Sequence, residues 1–228
     1  MPLVPPDIGG TGVPPDAHGP EAHVTNRAKR LRVGVLASGS GTNLQAILDR
    51  ISSEELDADV VVVISNNSES FALERARKAG IEAIHWSERK AGSPEQFVQG
   101  MLSILRTARL GLVVLAGYMK LLPKEVVSAF PGQIINIHPA LLPKFGGPGF
   151  YGMRVHEAVI AAGEKESGAT VHFVDTEYDH GAILMQQTVP VLGDDTPERL
   201  RERVLAVEHD LLPAAIAKFA REYWKGNH

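Results

Sequence analysis

Residues 31–65 read LRVGVLASGSGTNLQAILDRISSEELDADVVVVIS, and this stretch decides the fold. LRVGVLA (31–37) and DVVVVIS (59–65) are short, continuous, Val-rich runs, the pattern of strands buried on both faces of a parallel sheet. Between them Leu44, Ile47, Leu48 and Ile51 recur at i, i+3, i+4 and i+7, which puts one apolar stripe on a helix. Strand, helix and strand in that order predict a right-handed crossover.

Outward from this unit the alternation continues. A second helix is expected from about Glu69 to Ala79 with Gly80 as its C-cap, then a short strand in IEAIHW (81–86). A third helix is expected over 94–108, with Pro94 suited to its first turn. LGLVVLA (110–116) reads as another buried strand, a helix starts near Pro123, and IINIH (134–138) is the next strand. The expected class is therefore α/β, a doubly wound and mostly parallel sheet. Past Pro143, residues 144–153 read as a loop and Arg154–Ala162 as a short helix. ATVHFVD (169–175) and AILMQQTVP (182–190) predict two strands joined by a tight turn, an antiparallel edge. Thr196 and Pro197 start a last helix with Leu200, Val204, Val207 and Leu211 on one stripe and a kink or break before Pro213.

Residues 1–30 stand apart: MPLVPPDIGGTGVPPDAHGPEAH (1–23) is dense in Pro and Gly, with no period to bury, and reads as a flexible extension ahead of one domain over 31–228. A net charge of −4 argues against a nucleic-acid surface, and the absence of cysteine removes disulfides, thiolate metal sites and a Cys nucleophile. No apolar run approaches the roughly 20 residues that span a bilayer, and the N-terminus lacks a signal-peptide pattern. The expected compartment is the cytoplasm.

Two places carry chemistry. The first strand runs into SGSGTN (38–43) and then a helix, which presents backbone N–H groups and the positive end of a helix dipole. Gly39 and Gly41 have the first spacing of the dinucleotide fingerprint, but position 44 is Leu, and no Gly-Lys-Ser/Thr follows. The loop is either a plain turn or a site for a phosphate smaller than a dinucleotide. In IINIHPALLP (134–143) Asn136 and His138 share one face of a strand that must end at Pro139. That edge is where open α/β sheets bind ligands, and an Asn amide with an imidazolium can donate to a developing oxyanion. Asp179, in DTEYDHG (175–181), is either a turn residue or the carboxylate that raises such a histidine's pKa. His172 can face either way, and His156, His180 and His209 are expected at the surface.

VGVLASGSGTNLQAIL, VVLAGYMKLLP, IINIHPALLPK, GATVHFVDTEYDHGAILMQ and VEHDLLP together resemble the phosphoribosylglycinamide formyltransferases, from Leu31 to about Ala217. The resemblance implies a Rossmann-like formyltransferase fold and transfer of a formyl group from 10-formyltetrahydrofolate, as cosubstrate, to the amine of glycinamide ribonucleotide in purine synthesis. It implies a catalytic trio of Asn136, His138 and Asp179, phosphate binding by Gly41, Thr42 and Asn43, and a ribose or glycinamide contact from Glu208. Met119, Lys120, Leu121 and Leu122 match the wall of the folate pocket, with Asp175 and Asp179 in the turn that closes over the pterin. No metal is implied, the partners are small molecules, and a homodimer is compatible because family members are often dimers.

This chain departs from the family pattern at Lys120, where Arg is frequent, at Pro94, where a basic residue is frequent, and in the longer loop GGPGFYGMRV (146–155). Methionyl-tRNA formyltransferase shares the trio but adds a C-terminal domain, whereas this sequence continues only eleven residues past Ala217. Formyltetrahydrofolate deformylase also shares it, behind a regulatory domain that the Pro/Gly segment does not match. A non-catalytic folate- or nucleotide-binding module would be expected to lose part of the trio.

Overall fold

The computed structural model describes residues 30–226. Apart from Arg30, the expected flexible segment 1–30 lies outside them. The elements run β1 (Leu31–Leu36), α1 (Thr42–Ser52), β2 (Ala58–Ser65), α2 (Phe71–Lys78), β3 (Glu82–His85), α3 (Glu88–Ala91), α4 (Pro94–Thr107) and β4 (Leu112–Leu115), then α5 (Lys124–Ala129), β5 (Ile134–His138), α6 (Met153–Ala161), β6 (Glu166–Phe173), β7 (Ile183–Pro190) and α7 (Pro197–Gly226). The sheet has the order β3-β2-β1-β4-β5-β6-β7. Its first five strands are parallel, and β6 pairs antiparallel with both β5 and β7. The doubly wound class and the antiparallel edge are both present.

After β1 the chain builds outward to β2 and β3, then crosses back to place β4 on the other side of β1. The gap between the loops following β1 and β4 is the topological switch point, where such sheets hold ligands. Alternation along the strands splits the core in two. Val33, Val35, Leu112, Val114, Ile135 and Ile137 pack on one face with α1 and α7, while Leu36, Val113, Leu115 and Ile134 pack on the other with α4 and α5. Burying each such side chain contributes about 1.5–3 kcal/mol. Asn136 and His138 continue the face that Ile134 begins, so they replace apolar core residues where β5 reaches the edge of the sheet.

Local signals explain the helix starts. Ser70 accepts from the N–H of Ala72, and Ser93 accepts from that of Gln96 with Pro94 in the first turn. Three readings need correction. The link from β6 to β7 is the segment 174–182, not a tight turn, because β6 ends at Phe173 and the chain loops out over the sheet edge. The short helix α3, capped by Ser87, has no apolar period to betray it and buries none of its residues. The last helix runs through Pro213 without a break. A proline inside a helix, through the lost hydrogen bond and the clash of its ring, costs about 3 kcal/mol, which burial of Leu211, Leu212, Ala215 and Ile216 around it offsets.

Candidate active site

The segments following β1, β4 and β5, the loop before α6, the β6–β7 link and one stripe of α7 enclose a cavity of about 470 Å³, the size of a small-molecule site. At one end, the turn into α1 is held by Ser70 Oγ and Arg75 Nε, which donate to the carbonyls of Gly39 (3.0 Å) and Ser40 (2.9 Å). Gly41 has φ of 68°, and a Cβ there would lie 2.7 Å from Ala72 Cα, so glycine is required both by conformation and by close approach. Gly41 caps α1 without any side chain, and the first helical bond comes only from Gln45 N–H to the Gly41 carbonyl. The preceding N–H groups of the first turn stay open for an anion.

Glu208 of α7 closes this end. It is 8% exposed, and its Oε2 accepts from Asn43 Nδ2 at 2.6 Å. Burial pushes the Glu208 carboxyl up to about 7, against the opposing pull of Asn43 and of Arg201. Asn43 Oδ1 is buried with no partner among the described residues. Arg201 and Leu205 line the cavity on the same stripe of α7.

At the other end β5 and β6 pair so that Asn136 faces His172 and His138 faces Thr170. His172 Nδ1 donates to the Phe173 carbonyl (2.8 Å), which leaves Nε2 to accept from Asn136 Nδ2 (3.0 Å). The second amide hydrogen of Asn136 goes to Asp179 Oδ1 at 3.3 Å. Asp179 reaches this position because φ of 52° turns the chain inward and because Gly181, where a Cβ would lie 1.9 Å from the Phe173 carbonyl, lets the link return close to β6. Asp179 Oδ2 accepts from the N–H of Gly147 (2.9 Å) and lies 3.5 Å from His138 Nδ1. His138 Nε2 donates to the Phe145 carbonyl at 2.7 Å. Both imidazole nitrogens thus face acceptors, an arrangement that suits the doubly protonated ring. Burial acts the other way and holds His138 below its ordinary pKa, against Asp179 and the Phe145 carbonyl. Burial alone would raise Asp179, but its hydrogen bonds and the charge of His138 outweigh it, and the carboxyl is held below its ordinary range.

Thr170 fixes the strand end beyond His138. Its hydroxyl donates to the Ala140 carbonyl (2.6 Å) and accepts from the N–H of Leu142 (3.1 Å) and from Gln186 (2.8 Å). The wall between the two ends is Met119–Leu122, tied to the α1 turn by Met119 N–H donating to Ser38 Oγ (2.8 Å). Met119 is 53% exposed and Leu121 44%, an apolar surface facing an open slot.

Of the residues singled out from sequence, Gly41, Thr42, Asn43, Met119, Lys120, Leu121, Leu122, Asn136, His138, Asp179 and Glu208 all line this cavity. Asp175 is not brought into its wall: its carboxylate caps the Glu177 N–H (2.8 Å) and pairs with His180 (2.8 Å). His180 is exposed as expected, but His156 and His209 are not surface residues. His156 is 3% exposed, lines the cavity, and is pushed down to about 4 by burial, with the charges of Arg201 and His138 adding. His209 is half-buried, with Nε2 lacking a partner among the described residues. Both are covered by tertiary packing, of α6 against α7 and of α7 against α1, which no local pattern announces. His172, whose direction the sequence left open, is turned into the site by its pairing with β5. Thr170 and Arg201 escaped the sequence reading; the one available signal for Thr170 was its two-residue spacing from His172 on a strand.

A family model described as formyl transferase matches residues 31–216. The chain belongs to the formyl transferase family. Among its relatives, "Phosphoribosylglycinamide formyltransferase, chloroplastic" of Vigna unguiculata is 43% identical over 93% of this chain and 67% of its own length. The phosphoribosylglycinamide formyltransferase of Haemophilus influenzae is 37% identical over 82% of this chain and 86% of its own. The crystal structure of glycinamide ribonucleotide transformylase 1 from Symbiobacterium toebii superposes with a TM-score of 0.79 at 44% identity, covering 85% of this chain and 89% of that one. The formyl transferase fold and the branch expected from the motifs are both found. No helix among the described residues is long and apolar enough to cross a membrane.

Proposed function

We propose that this formyl transferase moves the formyl group of 10-formyltetrahydrofolate onto the amine of glycinamide ribonucleotide, giving formylglycinamide ribonucleotide and tetrahydrofolate in purine synthesis. The observation that carries the reading is that one cavity joins an open helix N-terminus to a buried Asn/His/Asp cluster, with an apolar wall between them. A phosphate bound by the N–H groups at Gly41, Thr42 and Asn43, with Glu208 taking ribose or glycinamide donors, extends the amine toward His138. The wall Met119–Leu122 takes the flat folate ring, and Asp175 shapes the turn that closes over it by capping its backbone.

Asn136 and His138 then give up their present acceptors, His172 Nε2 and the Phe145 carbonyl, for the formyl oxygen as it becomes negative. Charge-assisted hydrogen bonds are the stronger ones, so the exchange is driven by the transition state rather than by the bound substrate. As the amine lone pair forms the new C–N bond and the bond to N10 breaks, His138 delivers the proton that N10 needs. The proton released by the amine restores it. Asp179 keeps the imidazole oriented and favours its charged form. The domain over 31–228 is the catalytic unit in this reading, placed in the cytoplasm and with a homodimer as the assembly to test by sedimentation.

The test is tetrahydrofolate release with the two small molecules, with the ribonucleotide omitted in a control. Ribonucleotide-dependent release with a formylated product supports the reading. Release without the ribonucleotide indicates deformylation instead, and binding of both ligands without turnover indicates a binding module.

A further inference from the structure

Three arginines lie within the first turns of α7 at 199, 201 and 203, and two of them are tied down. Arg199 donates to Asp194 at 3.0 Å, and Arg203 binds Asp195 with both guanidinium nitrogens, at 2.6 and 2.9 Å. Arg201 is exposed, makes no hydrogen bond or ion pair among the described residues, and is one of the residues lining the cavity. It shares a stripe with Leu205 and Glu208, and its charge acts both on Glu208, which is bonded to Asn43 at the start of α1, and on His156. Among the described residues, the only other Lys or Arg lining this cavity is Lys120, in the apolar wall.

An unpaired guanidinium therefore shares a space with the open N–H groups of a helix N-terminus. Two positive groups facing one volume repel each other unless an anion lies between them. Glu208 does not serve, because it is held by Asn43 and stands outside ion-pair distance of Arg201. We infer that Arg201 is the side chain that binds the phosphate monoester of the substrate, completing with a charged, two-pronged donor the site that the α1 backbone begins. A guanidinium fits two phosphate oxygens at once, which fixes the end of the ribonucleotide as well as attracting it. Selection of a phosphorylated over an unphosphorylated amine then depends on α7 as well as on the α1 loop. The inference rests on the formyl-transfer reading for the identity of the substrate, but the anion site itself does not.

The test uses the full chain and ribose 5-phosphate as the probe, with binding measured by calorimetry for wild type, Arg201→Ala, Arg201→Lys and Arg199→Ala. Arg201→Ala is expected to weaken binding by about 10- to 100-fold, the effect of a lost charged hydrogen-bonding pair. Arg201→Lys should recover part of it, and Arg199→Ala, which removes the same charge from the same helix, should match wild type. In the transfer assay the Arg201→Ala loss should appear in KM for glycinamide ribonucleotide and vanish with the unphosphorylated ribonucleoside. Equal binding by Arg201→Ala and wild type, or equal weakening by Arg199→Ala, overturns the inference. Arg201-dependent binding in a protein that formylates nothing would keep the anion site and discard the transfer reading. Transfer with an unchanged KM in Arg201→Ala would do the opposite.

Discussion

At the β5 end of the cavity Asn136, His138, His172 and Asp179 hold one another, and every donor there has an acceptor. At the α1 end, among the described residues, Asn43 Oδ1 has no partner, Glu208 is driven toward neutrality, and Arg201 stands unpaired. The difference teaches how one pocket divides its work. A cluster that is already satisfied is preorganised, and its groups move only when a stronger acceptor develops in the reaction. A cluster left unsatisfied is destabilising until a ligand completes it, so it supplies affinity. Changes at the first end should appear in kcat and changes at the second in KM.

The sharpest way to break this comparison is Asp179→Ala, which strips an acceptor from Asn136 and Gly147 and the carboxylate from beside His138. Turnover should fall roughly 1,000-fold or more, while calorimetry finds ribonucleotide affinity close to wild type. Gly41→Ala tests the other end. Its Cβ meets the Ala72 backbone at a φ that disfavours side chains, so the turn must shift and KM for the ribonucleotide should rise on the order of 10- to 100-fold.

Thr170→Val keeps the shape beside His138 but leaves the Ala140 carbonyl and Leu142 N–H unpaired. Urea unfolding should show a loss of about 1–3 kcal/mol.

The remaining effects are gradual and lie in pH dependence. His156 is pushed down to about 4 from the 6.5 of an unfolded chain, so the unfolded state binds more protons between those values. Its contribution to stability is complete above about pH 6.5 and is lost toward pH 4, at up to about 1.4 kcal/mol per pH unit. Glu208 has the opposite sign: its folded pKa of about 7 lies above the unfolded value of 4.5, so its burial costs stability as pH rises through that window. Urea midpoints of His156→Asn and Glu208→Gln at pH 5 and pH 8 should show each slope flattened separately.

Apart from α3, strand and helix positions up to β5 were legible because their signals are local: continuous Val-rich runs, an apolar stripe on a helix, and Gly80 and Pro94 at helix ends. Asn136 and His138 were legible for the same reason, since alternation and Pro139 place them on one face at a strand end. His172 was not, because its direction depends on the antiparallel register with β5, which pairs residues 36 positions apart. His156 and Arg201 depend on how α6 and α7 pack over the cavity, and only the folded chain shows that one is buried and the other unpaired. Pro213 misled because the cost of proline in a helix is local while the burial that outweighs it is not.

The most direct test of the whole account is single-turnover formyl transfer by His138→Ala at saturating concentrations of both small molecules, with ribonucleotide affinity measured on the same sample. The account predicts a rate reduced at least about 100-fold and an affinity within about twofold of wild type, since His138 belongs to the end that acts on the transition state. A rate near wild type, or an affinity lost as steeply as the rate, would contradict it.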